Sequence, residues 1–364
     1  MNETKKKFEN IRIHLTNITG LGARILLHSL LPEFEEDKKF KIHEFHLPSK
    51  NTLSRYKPFS SNTKTMIYTR KLPFLISRAI ECLFTKPKYN DGVPVIVFGD
   101  IPLKISNGKQ IVFLHSSLLV TPWLKRPKLN MLKYIISRLI FRINLKYIDS
   151  VVVQTSVMKD KLLLIFPKLI DKIHIIPQPV PTWLKNVNFD SLNKSLPGDK
   201  KVNLIYPAAT YPHKNHKIFG KIDPNENDWP ISKITLTIDE CENPAPEIKW
   251  IKCSGMLDHD RLIEEYKNSD ALLFLSLEES FGFPLIEAMH LNMPIICADL
   301  PYARVLCGDD AIYFDPNDIN SIKKGIIDVQ QRLIDGWQPD WTDQLKNLPK
   351  DWKNVADKMI DLCL

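Results

Sequence analysis

The sequence predicts an α/β protein built from two doubly wound parallel-sheet domains. Three observations carry that expectation. The chain has 364 residues, too many for one ordinary hydrophobic core and suited to two. Short apolar runs alternate with longer helical segments in two successive series, the pattern of parallel sheets covered by helices on both faces. Between the series, Pro177, Pro179, Pro181 and Pro197 punctuate a polar stretch that ends in Gly-Asp-Lys-Lys, which reads as a linker.

In the first series, Ile11 to Leu15 reads as a strand and Thr16 to Gly22 as a loop, with a helix opening near Arg24. Further strands are expected at 66–69, 93–98, 110–114 and 150–155, and helices at 72–85, 128–147 and 156–166. The second series starts with a strand at 202–206. Strands are then expected at 233–238, 248–253, 271–276, 294–298 and 311–314, and helices at 214–220, 259–268, 284–292 and 318–334. At the end, Val355, Met359, Ile360 and Leu362 give 351–363 one apolar helical face. The expected division is 1–180, a linker at 181–200, a second domain at 201–345 and a final helix at 346–364. In such sheets ligands bind outside the carboxyl ends of the strands.

Composition narrows the class. Hydrophobic residues make up 44% and charged ones 25%, as in soluble globular proteins. The six cysteines are scattered, with no C-x-x-C pair or Cys/His cluster that would suggest zinc. They read as reduced thiols. The opening Met-Asn-Glu-Thr-Lys-Lys-Lys lacks an apolar signal region, and no run reaches the length that spans a bilayer. A cytoplasmic protein is expected. The net charge of +8 divides into +17 over 1–180 and −9 over 181–364, so the first half is expected to meet an anionic surface or ligand.

Residues 278–289, Glu-Glu-Ser-Phe-Gly-Phe-Pro-Leu-Ile-Glu-Ala-Met, are the most informative stretch. They lie between two apolar strands. Gly282 is in a loop, and Pro284 stands where a helix can begin, since its missing N–H is unpaired there anyway. Free amides from Leu285 onward are expected to hold a phosphate. Glu279 and Glu287 flank that anion site, and a carboxylate can accept from two sugar hydroxyls. A nucleotide-sugar has this layout of ribose, diphosphate and sugar. The alternative is two solvated charges near a helix start.

The segment resembles the nucleotide-sugar motif of the retaining glycosyltransferases of family 4, which have the GT-B fold. Glu279, Phe281, Gly282, Phe283, Pro284, Leu285, Ile286, Glu287, Ala288 and Met289 all fit that pattern. The resemblance implies two Rossmann-like domains facing a cleft and a final helix that crosses back. It implies that Glu287 holds the ribose, and that Glu279, Gly282 and Phe283 hold the donor sugar. It also implies a lysine for the diphosphate after the first strand of the second domain. Lys214, in Pro-His-Lys-Asn-His, matches it, at the expected start of the next helix. Many relatives add an Arg there, where this chain has Ala208 and Ala209. His115, after the strand at 110–114, matches a histidine close to the donor sugar. It is expected to donate to a sugar hydroxyl or an acceptor-site carbonyl, or else to be structural. Gly20 and Gly22 correspond to a thinned glycine loop beside the diphosphate. Gly255 and Met256 are base-side candidates, or simply a turn before an Asp258 cap. After 294–298, relatives often carry a Glu, but here Arg304 and Val305 follow Pro301, and no role carries over.

Between Asp100 and Asp149 there is no acidic residue. Lys125, Arg126, Lys128, Lys133, Arg138, Arg142 and Lys146 are expected to form a membrane-facing basic surface, with Arg138, Arg142 and Lys146 on one helical face. The alternative is a helix packed on its own sheet with a solvated basic face. No nucleic-acid-binding signature accompanies the charge. The expected activity is transfer of a sugar, with retention, from a UDP- or GDP-linked donor to a saccharide acceptor. That acceptor is expected to be lipid-linked, in O-antigen or lipopolysaccharide assembly at the inner membrane face. No cofactor and no metal are expected. A non-catalytic GT-B subunit that binds nucleotide-sugar or membrane is the alternative.

Overall fold

The structure is a computed structural model that describes residues 9–18, 20–36, 40–50, 52–61, 63–69, 72, 74–84, 89–105, 107–121, 128–185, 187 and 200–364. It divides into two compact units, Met1–Pro179 with Pro349–Leu364, and Val180–Leu348.

In the first unit the strands are β1 (Glu9–His14), β2 (Phe40–Pro48), β3 (Lys64–Tyr68), β4 (Val95–Val97), β5 (Gln110–Phe113), β6 (Ser150–Val153) and β7 (Ile173–Ile175). All pairings are parallel, in the order β3-β2-β1-β4-β5-β6-β7. The helices are α1 (Leu21–Glu35), α2 (Phe74–Leu83), α3 (Ser117–Val120), α4 (Lys128–Asn144), α5 (Ser156–Ile165) and, from the end of the chain, α11 (Trp352–Asp361). Asp351 caps α11 by accepting from the Asn354 amide at 2.8 Å. Trp352, Val355, Ala356, Met359 and Ile360 are buried, and the helix packs against α1.

The second unit has β8 (Val202–Tyr206), β9 (Ile231–Leu236), β10 (Ile251–Cys253), β11 (Ala271–Phe274), β12 (Ile295–Ala298) and β13 (Ile312–Phe314). They run parallel in the order β10-β9-β8-β11-β12-β13. Its helices are α6 (His259–Lys267), α7 (Phe283–His290), α8 (Pro301–Cys307), α9 (Ile319–Ile334) and α10 (Thr342–Lys346). Strands β11 and β12 are buried along their whole length, which is why both read as continuous apolar runs. Gly325 lets α9 lie close on this sheet, because a Cβ there would stand 3.2 Å from Ile296 Cγ2.

Five elements escape the sequence reading: β2, β7, α3, α8 and α10. One expected element differs in kind. Residues 214–220 form no α-helix. Two 3₁₀ turns, Pro212–Lys214 and His216–Lys221, meet at Asn215, which is left-handed at φ 59°. Lys214 therefore ends a tight turn, and no α-helix dipole stands behind it.

Candidate active site

A doubly wound sheet has a crevice where its strand order reverses, and ligands bind there at the carboxyl ends. In the second unit the reversal falls between β8 and β11. The loop after β8 brings Lys214 and the loop after β11 brings Glu279. The Lys214 Nζ donates directly to Glu279 Oε1. Both side chains are largely enclosed, at 16% and 12% exposure, and the ammonium lies 5.7 Å from the centre of the Phe274 ring.

Backbone bonds lace these loops together. The Leu277 amide donates to the His213 carbonyl at 2.7 Å, and Tyr206 Oη donates to the Lys214 carbonyl at 2.6 Å. Beside Lys214, His216 is buried. Burial and the Lys214 charge push its imidazole down to about 4, so it is neutral at ordinary pH. Ala208 is buried and Ala209 exposed, and neither offers a charge.

Gly282 caps α7 at φ 93°, a left-handed conformation that favours glycine. Pro284 lies in the first turn. The Leu285 amide, however, donates to the Gly282 carbonyl at 3.0 Å, and its side chain is fully buried. The expectation that free amides begin at Leu285 is corrected: the tight cap uses that amide internally. Phe281 is buried and meets Phe283 edge to face at 5.5 Å.

Glu287 is 8% exposed. It accepts a 2.7 Å hydrogen bond at Oε2 from the hydroxyl of Tyr266, a fully buried residue of α6. Burial pushes the Glu287 carboxyl up to about 7, against the opposing pull of that hydrogen bond. Burial, then the Glu287 charge, hold the Tyr266 phenol well above its usual range, so it stays a donor. At the end of β10, Gly255 is left-handed at φ 69° and its amide donates to the Ile238 carbonyl at 2.9 Å. Met256 is 77% exposed. Asp258 caps α6 by accepting from the Arg261 amide at 3.0 Å.

In the first unit the order reverses between β1 and β4. The loops after these strands touch at Gly99, where a Cβ would fall 2.6 Å from Asn17 Cβ. Gly20 is the N-cap of α1 and Gly22 sits in its first turn. A Cβ on either would meet nothing within 4 Å, so packing does not demand these two glycines. The next residue after Gly99 is Asp100. Its Oδ1 accepts from the amides of His115 (2.8 Å) and Ser116 (3.1 Å), and the His115 Nδ1 lies 3.2 Å away. His115 is 18% exposed and stacks on Phe113 with centroids 6.2 Å apart.

Three site-side residues escape the sequence reading: Asp100, Tyr266 and Gly99. Two were open to inference. An Asp directly after a glycine at a strand end is a turn signal, and a buried helical tyrosine needs an acceptor.

Arg138 corrects the expected basic face. It is 8% exposed. Its Nε donates to the Leu119 carbonyl at 2.6 Å and its Nη2 to the Thr121 carbonyl. The end of α3 leaves carbonyls without helical partners, and the guanidinium fills them. Lys133 is half-buried; burial, then Arg78, pull its ammonium down. Arg142 and Lys146 are exposed. Lys125 and Arg126 lie outside the described residues, as does the side chain of Lys128. Among its described side chains, α4 exposes chiefly apolar ones: Leu132, Ile135, Leu139 and Ile143, from 43% to 60% exposed. Among the described residues no helix is long and apolar enough to cross a membrane, and no group of three or more His, Cys, Asp or Glu side chains could hold a metal ion.

Residues 248–332 match the family model described as glycosyl transferases group 1. That span contains Gly255, Met256, Glu279 and Glu287, but neither Lys214 nor His115. The O-antigen chain mannosyltransferase RfbU of Salmonella typhimurium is 28% identical over 159 residues, 40% of this chain and 44% of that protein. The serotype-specific mannosyltransferase WbdA of Escherichia coli is 39% identical over 117 residues, 32% of this chain and 13% of that protein. The chain thus spans less than half the length of these curated relatives. Among solved structures, the lipopolysaccharide outer core galactosyltransferase WaaB superposes with a TM-score of 0.63 at 14% identity, covering 98% of this chain and 100% of that one. WaaG, a glycosyltransferase involved in lipopolysaccharide biosynthesis, gives 0.64 at 10%, covering 96% and 98%. Likeness at such identity concerns the fold: the chain has the GT-B architecture of two parallel-sheet α/β domains.

Proposed function

We propose that the protein is a retaining glycosyltransferase that moves a sugar from a nucleotide-sugar to a saccharide acceptor. The Lys214–Glu279 pair at the β8/β11 switch point carries this reading. A cation for a diphosphate and a carboxylate for sugar hydroxyls meet there, and the ribose candidate Glu287 follows in α7. In the step itself, the bond from the anomeric carbon to the diphosphate oxygen breaks. A bond from that carbon to the acceptor oxygen forms, and the acceptor hydroxyl's proton passes to the departing diphosphate oxygen. Lys214 stabilises the departing diphosphate, and Glu279 orients the sugar. His115 takes a sugar hydroxyl in the first unit. The names of RfbU and WbdA favour a mannosyl donor.

A thermal-shift comparison of UDP and GDP tests the donor half. A ligand at a hundred times its Kd raises stability by about 2.7 kcal/mol. One nucleotide should raise Tm by several degrees and the other should not. No shift with either removes the nucleotide site. Release of that nucleotide from its sugar conjugates in the presence of membrane extract tests turnover.

The acceptor is assigned as lipid-linked, with α4 resting on the cytoplasmic face of an anionic membrane. Leu132, Ile135, Leu139 and Ile143 are spaced three or four residues apart on one helical side, with Arg142 and Lys146 beside them. Each interfacial cation contributes roughly 1 kcal/mol. Flotation of R142Q/K146Q with anionic liposomes should weaken roughly thirtyfold. L139N/I143N should weaken it on neutral and anionic liposomes alike. Unchanged flotation in both variants would end this reading.

A further inference from the structure

We propose that Asp100 is the positioning residue for His115, fixing its imidazole with the proton on Nδ1 and the lone pair on Nε2. The inference rests on the reading above, in which His115 touches a sugar ligand, and it specifies the hydroxyl chemistry of that contact.

The geometry is local to the ends of β4 and β5. One carboxylate oxygen, Asp100 Oδ1, receives the amides of His115 and Ser116 and has the His115 Nδ1 at 3.2 Å. The two backbone bonds fix where the strand end turns, so the carboxylate and the imidazole are carried by the same tight corner. Asp100 holds φ 63°, a left-handed conformation that Asp tolerates better than most residues. Gly99 must be small for the corner to form, since Asn17 fills the space a Cβ would take. Phe113 supports the ring from below. Asp100 is only 14% exposed and His115 18%, so water competes weakly for the pair.

The chemistry follows from what a carboxylate can do. An ionised carboxylate accepts and does not donate, so the nitrogen that faces it must carry the hydrogen. In a neutral imidazole the other nitrogen is then an acceptor. His115 Nε2 accordingly takes a hydrogen from a sugar hydroxyl and does not donate to one. The site thereby selects a ligand with a free hydroxyl at that point and rejects a deoxy or O-methyl analogue. In solution a free imidazole prefers the opposite tautomer, so this assignment is a departure that Asp100 imposes.

Long-range ¹⁵N NMR on the full chain tests the assignment directly. Native His115 should show a protonated Nδ1. An Nε2-protonated ring in the native protein overturns the proposal without any variant. Asp100→Ala should shift the ring towards Nε2–H, while Asp100→Asn keeps an acceptor oxygen and should keep the native tautomer. Kinetics give the second arm. Asp100→Ala should lower kcat about tenfold in the native background, as the ring loses the carboxylate that sets its tautomer. In a His115→Ala background it should lower kcat less than about twofold. Multiplying losses would show that Asp100 acts on its own, through the turn. The NMR arm needs no turnover, so its failure is separable from failure of the transferase reading.

Discussion

Replacing Lys214 by Ala should lower kcat/KM at least about a hundredfold, and Glu279→Ala should do the same. The two losses have different origins, and nucleotide binding separates them. At rest the Lys214 ammonium is paired with Glu279. A diphosphate entering the β8/β11 crevice competes with that carboxylate for the cation. Lys214→Ala removes the cation, so the affinity for the nucleoside diphosphate falls together with the rate. Glu279→Gln instead frees the cation, so that affinity should hold or tighten while kcat falls. Ala208 and Ala209 supply no charge to take over, which makes the Lys214 effect the larger one. Because the residues touch, the double variant should lose much less than the product of the single losses. Stability must be followed in parallel, since Lys214→Ala leaves a carboxylate of 12% exposure without this partner. Near-native turnover in either single variant would remove that residue from the site.

The sequence made the architecture legible because parallel strands buried on both faces read as unbroken apolar runs. Strands β11 and β12 are examples, with Leu272 and Ile295 paired in register. Strand β2 was illegible for the opposite reason. Its Glu44 and His46 are polar by type yet buried, because they satisfy one another and their neighbours. Arg12 of β1 donates to Glu44 at 3.0 Å and His46 meets Tyr89 at 2.7 Å. Thr16 donates to Glu81 at 2.9 Å and His14 lies 3.1 Å from the same oxygen. A polar network of this kind is invisible one strand at a time, since each residue alone reads as solvent-facing. The site residues divide in the same way. Glu279 and Glu287 stand in a local pattern, and one segment was enough to single them out. Their partners Lys214 and Tyr266 lie 65 and 21 residues away in sequence, and Tyr266 gave no pattern of its own. Arg138 was misread because helical spacing gives a face, not what covers it. The carbonyls of Leu119 and Thr121 decide its direction.

Donor use should depend on pH through Glu287. Burial holds its carboxyl at about 7, above the ordinary 4.5, and only the ionised form can accept from two ribose hydroxyls at once. kcat/KM for the donor should therefore climb with pH through about 7 and level off above it. Tyr266 donates to the carboxylate and so favours the ionised form. Tyr266→Phe removes that help, and the acid limb should move about one unit to higher pH. Glu287→Gln should abolish the limb and leave a low, flat profile. Stability runs the other way. A carboxyl whose folded pKa is raised binds more protons folded than unfolded between the two values. Its contribution is then lost as pH rises from about 4.5 to about 7, a cost of about 3 kcal/mol that is complete above that window. In Glu287→Gln this share of the pH dependence disappears, so the fall in Tm between pH 5 and pH 8 should shrink by several degrees. The same carboxylate thus destabilises the empty protein at the pH where it best holds a ribose, and a bound donor should recover the difference. If Tyr266→Phe leaves the limb where it was, another group sets it and Glu287 does not meet the ribose.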